Sequence, residues 1–231
     1  MNARLRDRPR VSVNFAITWD GRISTRNHTP SDFSSKSDKH RLLAIRSEAD
    51  AVLAGAATIA ADNMTMGLPD PKLREARQKR RQAEYPLRVL LSNSGKIDPS
   101  LRVFEKDFSP VVIFSTERMP QKTRTALASK AELRLAEGSS VDLPAMMRTL
   151  RSEFEIDSVD CEGGGSVFRS LLAEDLVDEI HLTLCPRVFG GEKAPTLTGI
   201  AGEFLPASVK CVLESMQVEE GECFLRYTVV R

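Results

Sequence analysis

A short segment, Ile156–Val159, whose ends are apolar, leads into an acid, three glycines and a serine within Asp160–Phe168, DCEGGGSVF. The pattern then turns helical through Leu171, Leu172 and Leu176. A strand that ends in glycines and opens a helix gathers backbone N–H groups at the helix N-terminus. Such groups cradle phosphate, and glycine lets a ligand approach the backbone closely. The spacing is neither the dinucleotide fingerprint nor a P-loop with its lysine. A tight strand-to-helix turn without a ligand is the other reading of the same residues. Other side chains of chemical interest are scattered. His28, His40 and His181 have no partner at ligand spacing, so no metal site is expected. Cys161, Cys185, Cys211 and Cys223 form no CxxC pair. Three of them lie in apolar runs, which reads as buried thiols in a reducing, cytoplasmic setting.

The elements that would hold the loop follow from hydrophobic period. Val11, Val13, Phe15 and Ile17 alternate with Ser12, Asn14, Ala16 and Thr18 along a strand at Val11–Thr18. Helices are expected at Ser37–Glu48, capped by Ser35 or Ser37, at Pro71–Glu84 and at Leu143–Phe154. Short apolar strands are expected at Ala51–Leu53, Leu87–Ser92, Val111–Ser115, Ala131–Leu135 and Glu179–Cys185. Val209–Val218 and Cys223–Val230 flank Gly221 as a hairpin. The order implies one α/β domain over 1–231, with residues 1–10 a charged tail. Its sheet is mostly parallel and ends in an antiparallel hairpin. Ligands of such sheets bind where strand-end loops gather, here after Thr18, Leu53, Leu91 and Cys161.

Composition excludes several functions. The 231 residues are 41% hydrophobic and 28% charged, with a net charge of +1. No global field favours nucleic acid or a membrane surface. No apolar run is long enough to cross a bilayer, and MNARLRDRPR lacks the apolar core of a signal peptide. The basic run Lys72–Arg88 reads as a solvated helix face rather than a nucleic-acid contact. Trp19 either stacks on a ligand ring or packs beside its turn.

Four segments carry a resemblance. VNFAITWDGRIS (Val13–Ser24), ADAVLAGAATIAADN (Ala49–Asn63), CEGGGSVFRSLL (Cys161–Leu172) and LVDEIHLTLCPRVFGG (Leu176–Gly191) together are similar to the reductase domain of riboflavin biosynthesis, which has the dihydrofolate reductase fold. The resemblance runs from about Val11 to Val230. It implies NADPH-dependent reduction of the ribosylamino group of a pyrimidine 5′-phosphate to ribitylamino, in a homodimer. It further implies that Gly163, Gly164, Gly165, Ser166 and Val167 hold the cofactor pyrophosphate, with Gly55, Thr58 and Ser92 also on the cofactor. Asn14, Thr18, Arg46, Asp62 and Glu162 would bind substrate. Asp62 is the favoured proton donor, and a turn or cap carboxylate is its plain alternative.

Three departures refine the expectation. Asn14 stands where bifunctional bacterial members have lysine, which points to the diaminopyrimidine. The deaminase zinc signature is absent, so any deaminase is expected on a separate protein. Pro69 stands near the usual phosphate-binding arginine, leaving Lys72, Arg74 or Arg77 as substitutes. A same-fold NADPH reductase of another small substrate, or a non-catalytic nucleotide binder, are the competing readings.

Overall fold

Alternation along β1 (Arg10–Thr18) sets the two faces of the sheet. In the computed structural model, which describes residues 7–25, 33–105, 107–199, 205 and 207–231, Val11, Val13 and Phe15 are buried on one face. Ser12 and Asn14 point to the other. The further strands are β2 (Ala51–Gly55), β3 (Leu87–Ser92), β4 (Val111–Thr116), β5 (Glu132–Ala136), β6 (Ser158–Cys161), β7 (Glu179–Cys185), β8 (Lys210–Glu219) and β9 (Glu222–Val230). They form one sheet in the order β5-β4-β3-β2-β6-β1-β7-β9-β8. All pairings up to β1–β7 are parallel, and β7–β9 and β8–β9 are antiparallel. This is the mixed sheet with a C-terminal hairpin that the element order implies.

Helices cover both faces. α5 (Leu143–Ser152) buries Leu143, Met146, Met147 and Leu150, a stripe at helical spacing, behind the cap of Asp142 on the Ala145 N–H. α6 (Gly165–Ala173) adds Val167, Phe168 and Leu171 to the same core. Phe168 meets Phe15 with ring centroids 5.2 Å apart. Each such side chain contributes about 1.5–3 kcal/mol by leaving water. The opposite face carries a second core of Val52, Ala54, Leu90 and Ile113 with Ile59 of α2 (Ala56–Asp62) and Leu127 of α4 (Gln121–Leu127).

α1 (Lys36–Glu48) is different, since its only buried residues are Arg46 and Ser47. Lacking an apolar stripe, it is docked by polar anchors. Ser35 caps it by accepting the Asp38 N–H, and donates its own hydroxyl and N–H to Glu222. Arg41 donates to the Leu225 carbonyl and lies over the Phe224 ring.

Several boundaries depart from the expectation. The helix expected at Pro71–Glu84 is α3 (Pro71–Lys79). Arg80 closes it, Arg81 turns left-handed at φ +64°, and Arg77 folds back to donate to the Ser47, Ala49 and Ala83 carbonyls. The basic run is therefore not wholly a solvated face, because Arg77 and Arg88 are buried. Leu143–Phe154 stops at Ser152, before the left-handed Glu155. The short helices α2 and α4 carry too little apolar period to be read from sequence.

Asp178 ties both ends of the described chain to the sheet. Its carboxylate accepts Arg8 at 2.7 and 2.9 Å, the Val11 N–H at 2.7 Å and Arg231 at 2.8 Å. Burial pushes its pKa up, but the Arg8 and Val11 hydrogen bonds outweigh this and hold it below the ordinary value. Removing one partner of a buried pair strands the other. Asp178→Ala is expected to lower the unfolding free energy by about 3 kcal/mol at neutral pH. The folded-state pKa is the depressed one. The stabilisation is thus present above the unfolded pKa and fades as pH falls through the folded value. Denaturant titration of both proteins at neutral and acidic pH checks it; a pH-independent difference contradicts the assignment.

Candidate active site

A cleft of ≈750 Å³ opens over the carboxyl ends of β2 and β6 and the outer half of β1. Its floor is Asn14, Phe15 and Ala16 of β1. One wall is the face of α1 that carries Asp38, Leu42 and Arg46 at four-residue spacing, with Lys39 beside it. The other wall is α2, through Ala57, Thr58, Ala61 and Asp62. Glu162–Ser166 closes the inner end, and Ile23, Ser24, Pro195 and Gly199 form the rim.

The glycine loop owes its path to missing side chains. Gly163 and Gly164 have φ of +139° and +90°, which side-chain-bearing residues rarely adopt. A Cβ on Gly164 would stand 3.1 Å from the Thr58 hydroxyl, and one on Gly165 only 2.6 Å from the Gly199 nitrogen. Behind the loop, the Gly55 N–H donates to the Gly163 carbonyl at 3.4 Å, locking the β2 and β6 ends together. α6 begins at Gly165 with no side chain capping its first turn. The leading N–H groups of the helix carry the positive end of its dipole, and Gly165 and Ser166 at this turn line the cleft.

Charge is concentrated at the inner end. Arg46 donates from Nε to Glu162 Oε1 at 2.6 Å, from Nη2 to Glu162 Oε2, and from Nη1 to the Gly67 carbonyl. Both side chains are more than nine-tenths buried. Burial opposes the charge of Arg46, but the charge and hydrogen bonds of Glu162 outweigh it, and its pKa is raised. Two residues before Glu162, Asp160 is wholly buried. Its Oδ1 accepts the Ser12 hydroxyl at 2.9 Å, and its Oδ2 has no hydrogen-bond partner among the described residues. Burial, then the neighbouring Glu162, push its pKa up to about 8 against the pull of Ser12 and Arg46. Across β1, Glu179 accepts His181 at 2.7 Å and pairs with Arg10. Burial also pushes the Cys161 thiol up to about 12, which keeps it neutral.

The fold brings Asn14, Arg46, Thr58, Asp62, Glu162, Gly163, Gly164, Gly165 and Ser166 to this one cleft. Four other candidates stand apart. Thr18 is fully buried, and its hydroxyl donates to Asp20 at 2.6 Å in a turn that also receives the Arg22 N–H. The Thr18 bond, then the Gly190 N–H against the effect of burial, hold the Asp20 carboxyl down to about 2. Thr18 and Asp20 therefore build the β1 turn rather than the cleft. Gly55 and Val167 pack behind the glycine loop, where a Cβ on Gly55 would meet Val167 Cγ2 at 3.0 Å. Ser92 lies at the end of β3, its carbonyl accepting the Ser115 hydroxyl at 2.6 Å. Of the basic substitutes for the missing arginine, Arg77 is buried under α1, and Arg74 holds Glu84 and the Leu68 and Pro69 carbonyls. Neither these nor Lys72 lines the cleft. Trp19 is 76% exposed and also outside it. His28 lies outside the described residues, among which no group of three His, Cys, Asp or Glu is placed to hold a metal.

Reading from sequence overlooked Lys39 and Asp160. A faint signal existed for each. Lys39 lies seven residues before Arg46, two helical turns along one side of α1, and Asp160 shares the two-residue strand period with Glu162.

Comparison with known proteins gives concordant matches. The family model for the RibD C-terminal domain matches residues 9–219. The 2,5-diamino-6-ribosylamino-4(3H)-pyrimidinone 5′-phosphate reductase of Methanothermobacter thermautotrophicus is 30% identical, over 96% of this chain and 99% of that protein. The protein of the same name from Archaeoglobus fulgidus is 30% identical, over 82% of this chain and 86% of its own. In fold, the chain resembles a pyrimidine reductase-like protein from Corynebacterium diphtheriae, with a TM-score of 0.83, 23% identity, and coverage of 100% and 96%.

The ion pair yields a test that needs no ligand. Arg46→Met leaves Glu162 charged and buried without its partner, and is expected to cost about 3 kcal/mol of stability. Adding Glu162→Leu should restore most of that loss, because the stranded charge is gone. Urea unfolding of the two variants measures both; a double variant no more stable than Arg46→Met would show that the pair is not a closed unit.

Proposed function

The chain belongs to the RibD C-terminal domain family, and from that premise we propose that it reduces 2,5-diamino-6-ribosylamino-4(3H)-pyrimidinone 5′-phosphate to its ribitylamino form with NADPH. The single observation that carries this reading is the uncapped first turn of α6, behind left-handed glycines, facing the same cleft as Asp62 and Glu162. A Cβ on Gly164 would crowd Thr58, so glycine there lets the loop pack closely on α2 beside the helix N-terminus. Gly163, Gly164, Gly165 and Ser166 hold that group, and Thr58 lies beside it. Gly55 and Val167 support the loop from behind, and Ser92 belongs to the adenosine end of the reading. When bound, NADPH supplies the hydride that goes to C1′ of the ring-opened ribosylamine.

The remaining work falls to the chain. Reduction of a C1′ imine moves its π pair to nitrogen, which then takes a proton, and Asp62 delivers it from the α2 wall. Glu162, held by Arg46, presents a fixed acceptor edge to the substrate's hydroxyl and amino groups. Arg46 acts through Glu162, because its own contacts are to Glu162 and Gly67. Asn14 on the floor takes the place of a charged lysine and suits a neutral amino-substituted ring. The archaeal relatives named for the diaminopyrimidinone substrate support that choice. With Arg46 engaged by Glu162, Lys39 is the other cation lining the cleft among the described residues, and it meets the substrate phosphate.

The same reading includes a homodimer in the cytoplasm. Exposed Val212, Leu213, Met216 and Val218 on edge strand β8 support a second copy, and among the described residues no helix is long and apolar enough to cross a membrane.

Three measurements test the assignment. NADPH oxidation is expected with the diaminopyrimidinone and to be slower with its deaminated uracil counterpart. Asp62→Asn should cut kcat at least about 100-fold with little change in NADPH affinity. No oxidation with either compound by protein that binds NADPH sinks the substrate assignment. Lys39→Met should raise KM for the phosphorylated substrate about tenfold, and leave a dephosphorylated analogue unaffected. Equal effects on both would remove Lys39 from phosphate binding.

A further inference from the structure

Beneath the cleft floor lies a buried acid that the proposed reaction does not use. Asp160 sits on β6 between Ser12 of β1 and Val52 of β2, on the face that Glu162 also projects from. Nothing of it reaches solvent. Glu162 has both oxygens on Arg46, whereas Asp160 has one hydroxyl bond and an orphaned Oδ2. Two carboxyl groups here face one guanidinium, and that guanidinium is committed to Glu162 and the Gly67 carbonyl. The remaining charges around Asp160 do not help. Val52 brings none from β2, and on β7 Glu179 adds a like charge already paired with His181 and Arg10. A second carboxylate without a counter-ion in this setting is strongly disfavoured, and a proton on Oδ2 removes the conflict.

We propose that Asp160, in its neutral acid form, is a positioning residue for the cleft: it leaves Arg46 wholly to Glu162, and its ionisation draws the guanidinium toward β6 and displaces the Glu162 edge that meets substrate. The consequence for turnover rests on the reductase reading. The proton on Asp160 and its grip on Arg46 do not. Asp160 contacts no substrate and acts through the pair above it.

The test has one readout without substrate and one with it. In wild-type protein, the 15N resonance of Arg46 Nε should shift with an inflection near the raised pKa of Asp160, about 8. In Asp160→Asn, which keeps the shape and cannot ionise, that inflection should vanish. With NADPH and the pyrimidine, wild-type kcat/KM should fall about tenfold per pH unit above the same inflection, while Asp160→Asn holds its neutral-pH value into the alkaline range. An Arg46 resonance that is flat with pH in wild type overturns the proposal even if the variant fails to fold. So does an alkaline fall in kcat/KM that Asp160→Asn leaves in place. Absence of turnover at every pH, with a titrating Arg46 signal, counts against the reductase reading alone, because the resonance is read without substrate.

Discussion

The Arg46–Glu162 pair is the constraint on which the cleft depends. Helix α1 buries none of its apolar side chains fully, Leu42, Leu43 and Ile45 being only half-buried, so hydrophobic packing alone does not fix where it lies. The buried guanidinium reaches from its last turn to the end of β6 and to the Gly67 carbonyl. It thereby joins the helix, the glycine loop and the segment after α2 at one point. At the other end of the helix, Glu222 receives both donors of Ser35. A wall held by polar bonds at its two ends has a defined height over the sheet, and that height sets the width of the cleft. The pair is not to be counted as a large net stabiliser, since burying two charges offsets most of their attraction. Its effect is geometric: broken on one side, it leaves a charge with nowhere to go.

The sheet order supplies the second requirement. β6 enters between β2 and β1, so the glycine loop emerges beside the start of α2, and the Gly55–Gly163 bond joins the two turns. Thr58, Asp62 and the first turn of α6 are thus presented to one space by two adjacent strands. A reaction that moves a hydride chiefly needs two molecules held in register. The uncapped first turn of α6 opens on the same cleft as Asp62 and Glu162, an arrangement suited to that need.

Much of this was legible in sequence, for physical reasons that differ by residue. β1 and β7 were readable from alternation and apolar runs, and the glycine loop from composition, because only glycine tolerates the backbone of Gly163 and Gly164. Ser35 was readable as a cap by its position before a polar helix. Asp20 before Gly21 marks a turn in the sequence, but that the Thr18 hydroxyl is spent on Asp20 is visible only in the fold. Arg77 and Arg88 stood in a charged run, and only tertiary contacts with backbone carbonyls reveal them as buried. Asp160 was hidden for the opposite reason: it sits among polar and charged neighbours in the sequence, and only the fold shows that it is sealed from solvent. Side-chain chemistry is visible in a sequence; which carbonyl or carboxylate completes it is a property of the fold.

In the proposed reaction, one cleft holds cofactor and substrate together for direct transfer. The most direct measurement is the fate of label from NADPH carrying deuterium at both positions of nicotinamide C4, with the pyrimidine ribosylamino phosphate as acceptor in ordinary water. Direct transfer predicts one deuterium at C1′ of the ribityl product, seen by mass and NMR. A reduced product without deuterium, or oxidised cofactor with the pyrimidine unchanged, would contradict it.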